Sequence, residues 1–264
     1  MGFAPTMMPV APSTRATAPT MESAADLEAL AVACNPTVGF YDPLGLVENS
    51  ETKEATIGWL RHAEIKHGRV AMAAFVGFIV QSNNIYFPWD LANGVSHASI
   101  AAAGGPGDQW DALPTAAKLQ ILGFVGLLEL YSETSFFLKE AGEKHYVYGG
   151  KPGFFPPFSS CSLPHPVPLD LWDPFGFTKK MTPERKQKAL VAEINNGRLA
   201  QIGIFGMISA SKGLYVPGLD SIAGIKPYAG EYMAPFAAGD ASLPFVSDML
   251  AGAPQFGNLV PNLY

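Results

Sequence analysis

The sequence predicts an all-α membrane protein with three transmembrane helices, the first and third related by a pseudo-two-fold and crossing each other. Three observations predict it. Three apolar runs interrupt the chain: Val70–Val80, Ile121–Leu130 and Leu199–Ala210. Basic residues are sorted unevenly among the connecting segments. The stretches that lead into the first and third runs repeat one another. Composition points the same way. Only 15% of the 264 residues are charged, against about 25% in an average soluble domain. Hydrophobic residues reach 48%, and mean hydropathy is +0.15. The 27 Gly and 23 Pro imply much loop. A net charge of −6 argues against a nucleic-acid partner. Two cysteines, Cys34 and Cys161, do not make a disulfide framework, and both are read as unpaired.

Residues 1–21 contain no acid, one Arg (Arg15), and many Ala, Pro, Ser and Thr. Acid-poor, Ser/Thr-rich ends are typical of organelle transit peptides. The opening Gly-Phe-Ala-Pro-Thr, with Phe3, resembles the start of transit peptides in algae with complex plastids. The expectation is a transit-peptide remnant over 1–21 and one domain over 22–264.

Each apolar run alone is too short, because a spanning helix needs about 20 apolar residues. Adding the preceding helical residues gives spans at about 57–81, 117–139 and 185–212. These cross a bilayer only if Glu64, Lys66, His67 and Arg69, then Glu129, then Glu193 and Arg198 are tolerated there. An ionisable residue in a bilayer must be paired or ligated, and marks a functional site by default. Between Val70 and Ala117 there is no Lys or Arg, whereas Lys139 to Lys188 hold eight and only Lys226 follows Lys212. The positive-inside rule places the connection between spans two and three on the insertion side. The first connection and the C-terminus fall opposite.

The repeat carries the chemistry. Tyr41-Asp42-Pro43-Leu44-Gly45-Leu46 returns as Trp172-Asp173-Pro174-Phe175-Gly176-Phe177, and Glu64-Ile65-Lys66-His67-Gly68-Arg69 returns as Glu193-Ile194-Asn195-Asn196-Gly197-Arg198. Glu64 and His67, like Glu193 and Asn196, stand at i and i+3 and share a helix face. Each Arg lies five residues past its Glu, about 140° around the helix, a poor position for pairing within it. Two crossing helices satisfy both groups if Arg198 pairs with Glu64 and Arg69 with Glu193. Gly68 and Gly197 then allow close approach. The Lewis bases left over are carboxylates, the His67 imidazole and the Asn196 carboxamide. They suit Mg²⁺ held in a tetrapyrrole, which needs one axial ligand, rather than a protein-made cage.

The doubled E-x-x-[HN]-x-R, each copy preceded by D-P-[LF]-G, resembles the chlorophyll a/b- and a/c-binding light-harvesting superfamily over about residues 38–212. The resemblance implies that Glu64, His67, Glu193 and Asn196 are axial ligands to chlorophyll magnesium, with Arg69 and Arg198 their ion-pair partners. It implies Glu129 as the carboxylate ligand of the middle helix. Gln120 lies near the family's glutamine, one residue further from Glu129 than in the pattern. The turns Asp42, Pro43, Gly45 and Asp173, Pro174, Gly176 match sites that hold the end groups of two xanthophylls. Ala210 stands where the family has a late Gln, and no His follows His165 to match its C-terminal site. The long Gly/Ala-rich first connection, with Ile85-Tyr86-Phe87-Pro88-Trp89, looks like the chlorophyll a/c antennas of algae. The cofactors implied are chlorophyll a, chlorophyll c and a xanthophyll of the peridinin, fucoxanthin or diadinoxanthin type. The partners implied are a photosystem core (I before II), neighbouring antenna subunits and thylakoid lipid. The location implied is the plastid thylakoid membrane, with a stromal N-terminus and lumenal C-terminus.

The function so implied is light harvesting and transfer of excitation to a photosystem, without bond chemistry. No nucleophile–base pair, phosphate-cradling loop or zinc spacing supports an enzyme. One rival is a photoprotective quencher of the same superfamily, which needs lumenal acids. Asp90, Asp108, Asp111, Asp220, Glu231, Asp240 and Asp248 are available but spread along the chain. Another rival is a small transporter using Glu64 and Arg198 as a polar path. His97 is read as a loop residue, with peripheral chlorophyll ligation as its alternative. Gln81 is read as a helix-terminal residue, and His62, His145 and His165 as surface or interface residues. The aromatics of Phe154–Phe158 are read as an interfacial belt or carotenoid packing.

Overall fold

The architecture comes from a computed structural model and is described for residues 23–92, 94–162, 169–219, 221–222 and 224–252. The expected transit segment, His165 and Asp220 lie outside the described residues.

Among the described residues the chain is mostly helical. Helix α1 (Ala24–Cys34) opens with a capping box in which Ser23 Oγ accepts from Asp26 N, and the Asp26 carboxylate accepts from Ser23 N at 3.0 Å. Helix α2 (Lys53–Ser82) has 30 residues, about 45 Å at 1.5 Å per residue. Its end leads to a two-stranded antiparallel ribbon, β1 (Asp90–Ala92) with β2 (Val95–Ser96). Short helices α3 (His97–Ala101) and α4 (Pro106–Asp111) follow. Helix α5 (Thr115–Glu133) and short α6 (Ser135–Glu140) form the middle of the chain. Helix α7 (Pro183–Ser211) starts at Thr182, whose hydroxyl caps Arg185 N, with Pro183 in the first turn. Helix α8 (Val246–Gly252) is the last described element.

The first and third long helices begin slightly before their expected starts. The middle one differs more. A continuous helix over 117–139 was expected, but it breaks at Thr134. There the backbone is extended (ψ 123°), and both Thr134 N–H and its hydroxyl turn back to the Leu130 carbonyl. A β-branched hydroxyl residue that bonds the preceding turn competes with helix propagation.

The main interface is α2 against α7. Ile57, Ile65, Ala71 and Phe78 of α2 are buried, as are Ile194 and Met207 of α7. At the crossing, a Cβ built on Gly68 would lie 3.0 Å from Gly197 Cα, and one built on Gly197 only 2.9 Å from Gly68 Cα. Backbone meets backbone there, so only glycine fits. Helix α1 packs onto α7, where Asn195 Nδ2 donates to Cys34 O at 3.1 Å.

Helix α5 is held differently. Its buried residues are Lys118 near one end and Ser132 near the other. Lys118 Nζ is fully buried and donates to Asp240 Oδ2 at 2.6 Å and to Asp111 O at 3.1 Å. Between those ends Leu119, Leu122, Phe124, Val125 and Leu127 are exposed. A Cβ on Gly123 or Gly126 would meet nothing within 4 Å. The middle helix is therefore pinned by polar contacts at its ends, with its apolar length uncovered.

Among the described residues no helix is long and apolar enough to cross a membrane. For α2 and α7 the shortfall lies in polarity rather than length. Arg61, Glu64, Lys66 and Arg69 fall on α2, and Glu193 and Arg198 on α7. Hydropathy treats each as a free ion, whereas the fold pairs them.

Candidate functional site

The site is built on two matching turns and two matching helices. In the first turn Asp42 Oδ1 accepts from Leu46 N at 3.0 Å and Oδ2 from Val47 N at 2.9 Å, while Gly45 N donates to Asp42 O at 3.1 Å. In the second, Asp173 Oδ1 accepts from Phe177 N at 2.6 Å and Oδ2 from Thr178 N at 2.8 Å, while Gly176 N donates to Asp173 O at 3.0 Å. Gly45 (φ 61°) and Gly176 (φ 70°) adopt the left-handed backbone that closes each turn. Pro43 and Pro174, next to the Asp, restrict the backbone at the turn entry. Large apolar side chains surround both: Tyr41 and Leu44 at the first and Phe175 and Phe177 at the second are 70–75% exposed. A cavity of about 440 Å³ opens beside the first turn, lined by Leu27, Phe40, Asp42, Ile57 and Glu64 among others.

The Val47 and Leu46 amides hold the Asp42 carboxyl below its usual range. The Thr178 hydroxyl, with the Thr178 and Phe177 amides, does the same for Asp173. A depressed carboxyl stabilises the fold above the unfolded value, about 3.9, and that contribution is lost as pH falls through the folded value. Thermal midpoints of the pigmented protein in detergent should therefore drop between about pH 5 and pH 3. The Asp42→Asn, Asp173→Asn double variant should lose less over that window.

Both reciprocal ion pairs are present. Arg69 Nε donates to Glu193 Oε1 at 2.6 Å, and Arg198 Nε and Nη2 approach Glu64 Oε1 at 2.7 Å. Arg69 is held further by Gly153 O at 2.6 Å and lies 5.2 Å from the Trp172 ring centroid. The aromatic residue that opens the second turn thus covers the Arg that pairs with the second Glu. Glu64 also accepts from Arg61, one turn earlier on its own helix.

The single Lewis bases sit outside this paired core. His67 is exposed, with Nδ1 tied to Ala63 O at 2.8 Å. That leaves Nε2 as the free ring nitrogen. Asn196 and Gln120 are exposed and make no side-chain hydrogen bond among the described residues. Exposed apolar residues share these helices: Val70 beside His67, Leu199 and Ile202 beyond Asn196, and Phe124 and Leu127 along α5. Among the described residues no three His, Cys, Asp or Glu side chains converge on one point as a metal cage would require. The donor set fits a flat, largely apolar group whose metal takes one protein ligand at a time.

Glu129 is reached by a cation that sequence reasoning overlooked. Lys66 Nζ lies 2.5 Å from Glu129 Oε2 and 2.8 Å from Glu133 Oε1, joining α2 to α5. His62 is not the surface residue expected. It is buried, its Nδ1 accepts from Gly153 N at 3.1 Å, and its ring stacks on Tyr146 with centroids 3.8 Å apart. His145 is half-buried, with Nε2 3.0 Å from Glu133 Oε2. A signal for this cluster was present. His62 and Lys66 stand at i and i+4, as do Glu129 and Glu133, so two complementary faces were legible. The acids read as scattered are also partly gathered. Asp111 accepts from Tyr228 OH at 2.9 Å, Asp240 holds Lys118, and Asp108 caps Gly105 N at 2.9 Å, all around one end of α5.

The sequence model of the family described as Chlorophyll A-B binding protein matches residues 27–212. The match takes in most of α1, which the motif resemblance from residue 38 left out. Among curated relatives, a fucoxanthin-chlorophyll a-c binding protein, chloroplastic, of Trieres chinensis is 35% identical over 179 residues, covering 66% of this chain and 73% of that protein. The fucoxanthin-chlorophyll a-c binding protein F of Phaeodactylum tricornutum is 34% identical, covering 67% and 76%. Protein E of the same description from Macrocystis pyrifera is 32% identical, covering 67% and 71%.

Proposed function

Because this chain belongs to the chlorophyll A-B binding family and is of the chlorophyll a/c type, we propose that it is a light-harvesting antenna of the plastid thylakoid that passes excitation to a photosystem. Its cofactors are chlorophyll a, chlorophyll c and a xanthophyll of the fucoxanthin type, as the names of its relatives indicate. The family is one of light-harvesting pigment carriers, not of enzymes. The bound pigments supply light absorption and the excited state. The chain's part is to set their spacing and orientation.

The observation that carries this reading is the pair of crossed salt bridges set beside exposed single donors. Arg69 offsets Glu193, and Arg198 with Arg61 offsets Glu64, so each carboxylate can face magnesium without leaving a bare anion in lipid. Lys66, shared with Glu133, offsets part of the Glu129 charge. His67, Asn196 and Gln120 supply neutral donors. The hydrogen bond from His67 Nδ1 to Ala63 O fixes the tautomer and presents Nε2. The apolar length of α5, touched by the described residues only at its ends, leaves room for pigments between it and the α2–α7 pair. The two Asp-Pro turns, with their exposed aromatic neighbours, hold the end groups of two xanthophylls.

In this reading α2, α5 and α7 span the bilayer, α2 and α7 are related by a pseudo-two-fold, and residues 22–264 form one domain behind a transit remnant at 1–21. The basic segment from Lys139 to Lys188 and the N-terminus face the stroma, and the ribbon and C-terminal segment face the lumen. Photosystem I, neighbouring antenna subunits and thylakoid lipid are the partners.

Pigment extraction and chromatography of the isolated protein, with excitation spectra of its chlorophyll emission, tests this. Several chlorophylls per chain and carotenoid-sensitised emission are expected, and a purified protein without chlorophyll overturns the reading. A second reading, a photoprotective quencher, gains from the grouping of Asp108, Asp111 and Asp240, where burial pushes the Asp111 carboxyl up. Fluorescence lifetimes at about pH 7 and pH 5 separate the two, because protonation of such a group gives marked shortening only in a quencher.

A further inference from the structure

We propose that His97, in the long connection after α2, is the axial ligand of an additional, peripheral chlorophyll bound against the loop Ile85–Leu91. The proposal rests on the pigment-binding reading above.

The first observation is an exposed apolar patch with no covering partner among the described residues. Ile85, Tyr86, Phe87 and Trp89 are 50–64% exposed on four of five consecutive positions. A loop that must fold beside water does not ordinarily present such a run, and contiguous exposed apolar surface marks a binding site. Phe87 and Trp89 stack with ring centroids 4.6 Å apart and planes within 16°, so the patch is organised.

The second observation is a cavity of about 440 Å³ under the patch, lined by Val80, Tyr86, Phe87, His97, Ile100 and Trp110 among others. Its volume falls in the range of about 300–1,000 Å³ typical of small-molecule sites. The buried amide in its wall is already satisfied. Gln109 is 6% exposed, and its Nε2 donates to Gln81 O at 3.0 Å and Gly104 O at 3.1 Å. His97 is the one imidazole on the wall.

The third observation is the state of that imidazole. His97 Nδ1 lies 2.7 Å from the Trp89 carbonyl oxygen, so Nδ1 carries the proton and Nε2 keeps its lone pair. The edge of the Phe87 ring, 5.8 Å away between centroids, holds the imidazole plane. Nε2 has no hydrogen-bond partner among the described residues. This is the arrangement of His67, whose Nδ1 is tied to Ala63 O. A backbone carbonyl orients each ring and leaves Nε2 free to ligate. A loop histidine kept only for solvation has no need of both a fixed tautomer and an aromatic floor. A magnesium tetrapyrrole uses both, through one axial nitrogen and a flat apolar face.

The test uses the full chain in its pigmented form. His97→Leu and His97→Gly should each hold one chlorophyll fewer per chain by extraction and chromatography. The visible circular dichroism assigned to the remaining pigments should be preserved. His97→Gln, which keeps a Lewis base, should retain the full count, and added imidazole should restore it in His97→Gly. An unchanged count in His97→Leu overturns the proposal. So does a loss in every variant that neither glutamine nor imidazole repairs, because His97 then only holds the loop. Absence of chlorophyll from the unsubstituted protein would overturn the antenna reading itself, a result distinct from either.

Discussion

Arg69→Leu should destabilise the pigmented protein by about 1–3 kcal/mol, the cost of leaving a half-buried carboxylate without its partner. Arg69 has three tasks: it pairs with Glu193 at 2.6 Å, donates to Gly153 O at 2.6 Å and lies against Trp172. Removing it strands the Glu193 charge at the helix crossing, in the low-polarity region between α2 and α7. The Arg69→Leu, Glu193→Gln double variant should recover most of the stability, because no net charge then remains. The measurement is thermal unfolding followed by loss of pigment circular dichroism, run as a double-mutant cycle. Pigment count separates the two roles of the pair. Glu193→Leu alone should lose one chlorophyll per chain, whereas Arg69→Leu should lower the stability of the whole complex. A single variant within about 0.5 kcal/mol of the parent would mean that the pair is a screened surface contact.

Gly197→Leu should prevent α2 and α7 from crossing at all, and Gly197→Ala should cost about 1–3 kcal/mol, the usual range for forcing volume into a packed site. The geometry leaves no alternative. A Cβ at 197 would lie 2.9 Å from Gly68 Cα, and backbone has no rotamer to move away. Gly68→Ala meets the same obstacle at 3.0 Å and should behave alike. Separating the helices by even one methyl group also stretches both reciprocal ion pairs, so the effects combine. The yield of pigmented protein on reconstitution is the readout. Normal yield and stability for Gly197→Leu would show that the two backbones are not in contact at the crossing.

These expectations trace to features legible in the sequence alone. The repeat placed Glu64, Arg69, Glu193 and Arg198 five residues apart on two helices, and ideal helix geometry alone forbids good pairing within each copy. Cross-pairing was the remaining solution for four charges in an apolar setting. The Asp42 and Asp173 turns were equally readable, since Asp, Pro and Gly at those spacings have local conformational preferences that need no tertiary help.

Other features were at most half readable, for a definite reason. Lys66 lies within the repeated block, but its partners Glu129 and Glu133 come from α5, which has no repeat to set its register. Lys118 and Asp240 are 122 residues apart, and their pairing depends on the path of the C-terminal segment. His62 looked like any polar helix residue until Tyr146 and Gly153 closed over it. The break at Thr134 turned on one hydroxyl choosing a carbonyl. Even His97 read as an ordinary loop residue, because its bond to Trp89 O and the ring of Phe87 exist only after the loop has folded.

Family, helical class and the reciprocal pairing at the crossing followed from sequence, because each rests on local helix geometry and a motif present twice. How the middle helix is moored, which acids gather and which imidazole keeps a free nitrogen waited on the tertiary structure. Those features depend on contacts between segments far apart in the chain, and no local preference encodes such distances.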